Sequence, residues 1–247
     1  MPDPNSPFDL YTIFGPVPPR GGASGIDALK QSLLRQKVGG AVALSTRAIH
    51  ADSGAGNRET VAACAAATGD DLVLVPGAVA DPRSYLTTGG PDFSGARLVC
   101  LLPTTQDWPL PFAPATALFA SLPKNVPVLV QTQRLGEATA VGALLRELSW
   151  SGGPVLLSGV TGDTLVEALA VARSSERIGL TTHGMRGVGE VQFAVSQLGA
   201  PRIFFASGVV GESLSAALAL VRLSGISPEE QAQVLGGNAR RMLGVAA

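Results

Sequence analysis

Eight short runs of β-branched and large apolar residues recur along this chain of 247 residues, each separated from the next by a longer segment. They are FDLYTIF (8–14), GAVALS (40–45), DLVLVPG (71–77), RLVCLL (97–102), VPVLVQ (126–131), GPVLLS (153–158), RIGLTT (177–182) and RIFFAS (202–207). Most are almost continuously apolar, as strands covered on both faces must be. Several intervening segments have a helical period. GIDALKQSLLRQKVGG places Ile26, Leu29 and Leu33 on one face and stops at Gly39-Gly40. EATAVGALLRELSW and DTLVEALAVARSSE behave alike, and GESLSAALALVRLSG aligns Leu214, Ala217, Leu218 and Val221. SPEEQAQVLGG opens with Ser227, Pro228 and Glu230, a capping box. Strict alternation over this length predicts a (β/α)8 TIM barrel forming a single domain, 1–247. An open doubly wound sheet fits less well, because the first run is not followed by a dinucleotide-type glycine loop.

The charge balance narrows the partners. A net charge of −1 gives no reason to expect nucleic acid or an anionic membrane surface. No uncharged apolar stretch is long enough for a membrane span, and MPDPNSPFDL lacks the basic and apolar parts of a secretory signal. The reading is cytoplasmic. Cys64 and Cys100 lie in apolar runs and are expected as buried free thiols. Only 15% of residues are charged, and the helices are rich in Ala, Leu and Val. A homo-oligomer, or pairing with a related subunit, is therefore expected.

Several stretches resemble the amidohydrolase superfamily, in particular its small TIM-barrel metal-dependent hydrolases. DLYTIFG (9–15) resembles the family's Asp-x-His-x-His-x-x-Gly strand. GNRET (56–60), ADPRSY (80–85) and GAPRIFFASGVV (199–210) resemble its later segments, and LGGNARRMLG (235–244) its C-terminal helix pair. The resemblance implies a metal held by imidazoles and carboxylates at the C-terminal ends of the strands. Carried over position by position, however, the ligand set becomes Tyr11, Ile13, Gln131, Ser158 and Gly208. Ile13 has no lone pair, and a phenol with a pKa near 10 is a poor zinc ligand. The expectation is no metal and no cofactor.

The rim still offers polar groups: Tyr11, Arg47, His50, Asp81, Gln131, Gln133, Arg134, Ser158, Thr182, His183, Arg186 and Ser207. A ligand site drawn from Arg47, Gln131, Arg134, His183 and Arg186 would suit a small anion, since guanidinium forks match carboxylate or phosphate. GVVGES (208–213) has the glycines of a phosphate loop, but Glu212 would compete with an anion there. His183, Ser158 and Tyr11 are the candidates for catalysis without metal. The sequence leaves the enzyme question open between two readings. One is a pseudoenzyme that binds a small anionic ligand or a partner subunit. The other is a metal-independent hydrolase or lyase acting on a small carboxylate, ester or lactone.

Overall fold

The computed structural model describes residues 3, 5–16, 25–84, 92–209 and 212–245. Eight parallel strands form one sheet in the order β1 to β8. They are β1 (Phe8–Phe14), β2 (Gly40–Ser45), β3 (Val73–Val79), β4 (Leu98–Leu101), β5 (Val128–Gln131), β6 (Val155–Ser158), β7 (Ile178–Thr181) and β8 (Ile203–Phe204). The chain leaving β8 returns to β1. Leu10 N donates to Phe205 O, Gly208 N to Tyr11 O, and Ile13 N to Val209 O. These bonds close the sheet into a (β/α)8 barrel.

The helices are α1 (Ile26–Arg35), α2 (Thr46–His50), α3 (Ser53–Ala67), α4 (Pro103–Gln106), α5 (Ala113–Ser121) and α6 (Glu137–Glu147). They continue with α7 (Gly162–Arg173), α8 (Val188–Leu198), α9 (Leu214–Arg222), α10 (Pro228–Ala232) and α11 (Asn238–Leu243). Alternating strand residues explain the continuous apolar runs. Phe8, Val42, Leu44, Val75, Val79, Leu98, Cys100, Leu129, Leu156 and Phe204 fill the barrel interior. Ala41, Leu74, Val99, Val128, Val155, Ile178 and Ile203 point outward and pack beneath Leu29, Leu33, Leu118, Val141, Leu169, Val191 and Leu218 of the helices.

β3 begins two residues later than the sequence suggested and ends at Val79, where Asn57 of α3 caps it. Asn57 Oδ1 accepts from Val79 N at 2.8 Å and its Nδ2 donates to Val79 O at 3.0 Å, as a further strand would. In the C-terminal segment, Asn238 Nδ2 donates to Ala200 O (2.7 Å) and Ile203 O (2.8 Å), fixing the last helix to the start of β8. The capping box is present: Ser227 N donates to Glu230, and Glu230 N to Ser227 Oγ. Both cysteines are buried free thiols, and burial pushes the Cys64 thiol up to about 12. Among the described residues, no helix is long and apolar enough to cross a membrane. Most of the loop at 15–25, and much of that at 87–95, falls outside the described residues.

Candidate functional site

β1 carries a bulge. The register slips between Asp9 and Thr12, so that Leu10 and Tyr11 together face Val42. A bulge re-aims the side chain it carries and parts the strand from its neighbour. On the β8 side of the strand the Asp9 carboxylate joins the two segments: Oδ1 accepts from Tyr11 N at 3.1 Å and from Ser207 N at 3.0 Å. Asp9 thus supplies the acceptor that a strand carbonyl would otherwise provide. Its other oxygen is buried without a partner, and burial raises this carboxyl from 3.8 to about 6.

Beyond the bulge, Tyr11 stacks at a tilt on His183, with ring centroids 4.9 Å apart. Both are buried, and desolvation holds the phenol well above its usual range. His183 follows β7, in a loop pressed tightly against the loop after β6. Gly184 has φ +94, and a Cβ there would lie 2.4 Å from the Gly159 carbonyl carbon. Gly159 N donates to His183 O. The imidazole Nδ1 sits 3.3 Å from Ser158 Oγ, and Ser158 Oγ in turn accepts from Thr181 Oγ1 at 2.9 Å. Burial lowers the His183 imidazole from 6.5 to about 4; Glu212 opposes the shift and Arg186 adds to it. His183 is therefore neutral at pH 7.

The resemblance carries the family's metal ligands onto Tyr11, Ile13, Gln131, Ser158 and Gly208, and two of these, Tyr11 and Ser158, touch His183. Gln131 Oε1 already accepts two hydrogen bonds, from Thr105 N and Oγ1, both at 2.9 Å. Ser158 is held between Thr181 and His183. Gly208 has φ +71, and a Cβ on it would lie 2.7 Å from His183 Cδ2 and 2.8 Å from Nε2. Tyr11 and Ile13 complete the set. Among the described residues, no three His, Cys, Asp or Glu side chains converge as metal ligands. The donors present are a phenol, a hydroxyl and an engaged amide. They do not fit a family-type divalent metal, which needs several imidazole or carboxylate ligands.

One side of His183 lines a cleft of about 250 Å³ between the ends of β7 and β8 and helix α9. Its polar wall includes Thr182, Arg186, Ser207, Glu212 and Ser213; its apolar wall includes Met185, Ala206, Ala216, Ala217 and Leu220. Arg186 and Glu212 form an end-on fork across the entrance, with Nη1 to Oε2 at 2.8 Å and Nη2 to Oε1 at 2.6 Å. Glu190 holds the loop beneath by accepting from Arg186 N at 2.8 Å and from Gly187 N at 3.2 Å.

The three rim arginines do not share one cavity. Arg47 and His50 lie on the short helix α2 and line a separate cleft of about 390 Å³ with Ser45 and Glu59. Arg134 is exposed, and its main-chain N donates to Glu137. Asp81 pairs with Arg83 at 2.9 Å, and Gln133 packs against Gly159. Sequence reasoning missed Asp9 and Thr181. A lone carboxylate inside an apolar strand was the available signal for Asp9. Glu212 had been read only as a competitor for anions, not as the partner of Arg186.

No family model matches the sequence, and no curated protein matches it either. Solved structures resemble it along its whole length. The 2,6-dihydroxybenzoate decarboxylase from Rhizobium has a TM-score of 0.63 and 15% identity, covering 99% of each chain. A dihydroxybenzoic acid decarboxylase from Polaromonas sp. JS666, with bound manganese and 2-nitroresorcinol, has a TM-score of 0.64 and 14% identity, covering 98% of this chain and 97% of that one. A Staphylococcus aureus protein provisionally classed as an amidohydrolase has a TM-score of 0.68 and 13% identity, covering 97% and 100%. The chain shares the TIM-barrel fold of these amidohydrolase-type decarboxylases and hydrolases.

Proposed function

We propose that this chain is an amidohydrolase-fold pseudoenzyme that binds a small monocarboxylic acid in the His183–Arg186 cleft and does not carry out metal-dependent hydrolysis. One observation supports this reading above the others. Of the positions that would hold a metal, Gln131 and Ser158 are hydrogen-bonded within the protein, Tyr11 stacks on His183, and His183 fills the space beside Gly208. The cleft next door offers a ligand a polar surface. Its volume lies below the roughly 300–1,000 Å³ of pockets for drug-sized ligands, which points to a molecule of about one ring. Glu212 uses the end of the Arg186 guanidinium and leaves the Nε edge available to a carboxylate. Because Arg186 and Glu212 cancel, a singly charged acid with an apolar body suits the cleft better than a dianion. The decarboxylases of the same fold act on aromatic carboxylates by name, which agrees with this ligand class.

A thermal-shift series with benzoate-type acids tests the proposal. Stabilisation by a monoacid should fall about ten-fold in apparent affinity in Arg186→Gln, the loss of one charge-assisted contact. Equal stabilisation in wild type and variant would refute the assignment.

The 3.3 Å contact between Ser158 Oγ and His183 Nδ1 favours a second reading, hydrolysis of a small ester by a serine with a neutral imidazole as base. Against it, Ser158 is buried and its oxygen already accepts from Thr181. Ester turnover that disappears in Ser158→Ala would establish this reading and displace the first.

A further inference from the structure

The opposite end of the barrel, where the strands begin, holds a cavity of about 440 Å³. Its walls come from the entrance to β4 with Arg97, the entrance to β5 with Asn125, and the end of α11 with Arg241, Leu243 and Gly244. Among the described residues, no acidic residue lines it and no carboxylate lies within 4 Å of Arg97 or Arg241. Each arginine is tethered, among the described residues, through one nitrogen. Arg97 Nη2 donates to Leu243 O, and Arg241 Nη1 lies 3.4 Å from Asn238 Oδ1. The tethers fix the guanidinium planes and leave most of their five donors unused.

A third arginine lies at this end. Arg240, next to Arg241, is itself buried over the Phe8 ring; its Nη2 donates to Ser6 Oγ, and its Nη1 has no partner. Two tethered guanidinium groups and an amide around one solvent-open cavity, with no carboxylate within 4 Å of them among the described residues, form an incomplete ion site. We propose that this cavity binds a phosphate-class dianion, with Arg97 and Arg241 as its two forks and Asn125 as an amide donor. The dianion would bridge the β3–β4 connection and the last helix, clamping the C-terminal segment to the barrel base. This site is separate from the His183–Arg186 cleft and does not depend on the function proposed for it.

Calorimetric titration of the full chain with inorganic pyrophosphate, at ionic strength matched with sodium chloride, decides the matter. The expected result is one site per chain, weakened about ten-fold or more in Arg241→Gln and unchanged in Arg186→Gln at the other end of the barrel. Arg97→Gln should weaken binding similarly, but Arg97 also holds Leu243 O, so the exposed Arg241 carries the test if that variant fails to fold. No saturable heat, or binding unaffected by Arg241→Gln, would overturn the proposal. Binding lost equally in Arg186→Gln would place the anion at the other end and overturn it too.

Discussion

His183 is the residue on which most of the site turns. Its ring stacks on Tyr11, its Nδ1 meets Ser158, and its Nε2 edge covers the α-carbon of Gly208. Burial depresses its pKa to about 4, so the folded protein binds its proton less readily than the unfolded chain does. The stability His183 contributes is therefore full above about pH 6.5 and is lost as pH falls towards 4. An NMR titration of the imidazole should show no protonation above about pH 5; a midpoint near 6.5 would contradict the buried, neutral assignment. The same packing makes Gly208 hard to replace. Gly208→Asp combines a left-handed φ with a clash and should cost roughly 2–4 kcal/mol. Adding His183→Ala should return about 1 kcal/mol or more of that, because the two positions compete for one space. Purely additive denaturation energies would show that they do not.

Between strands, the decisive feature is the seam of β1 and β8. Asp9 bridges it through two main-chain N–H groups, so Asp9→Ala leaves two buried donors unpaired and should cost roughly 2–4 kcal/mol. Asp9 also titrates with the opposite sign to His183. Its carboxyl is raised to about 6, so the folded state holds the proton more tightly than the unfolded chain. Its contribution is present below pH 3.8 and is lost as pH rises through about 6. The stability difference between wild type and Asp9→Asn, measured by chemical denaturation from pH 4 to 7, should shift against the wild type as pH rises; a flat difference would contradict this. The strands themselves were legible because a strand buried on both faces has to be apolar throughout, as VLVQ and VLLS are. The short α2 was not, since the five residues TRAIH are too few to show a period. In α5, APATALFAS is apolar on nearly every side and shows no stripe. The pairings that define the site were not legible either. Tyr11 with His183, and Asp9 with Ser207, join the first strand to the last two, and only closure of the barrel brings them together.

At the scale of the whole molecule, the fold and the chemistry separate. The barrel resembles decarboxylases along its whole length, one of them with bound manganese, while among the described residues no three His, Cys, Asp or Glu side chains converge as metal ligands. At the positions onto which the resemblance carries the ligands stand Tyr11, Ile13, Gln131, Ser158 and Gly208, and Tyr11, Gln131 and Ser158 take part in stacking and hydrogen bonds within the protein. The central claim is that this barrel works without the metal, and elemental analysis coupled to titration tests it most directly. Chelator-stripped full-length protein, titrated with Mn²⁺ and Zn²⁺ and then assayed for bound metal after desalting, should retain far less than one ion per chain. Its melting temperature should not rise with either ion. Retention of about one ion per chain, abolished by Gln131→Ala or Ser158→Ala at the barrel mouth, would contradict the account.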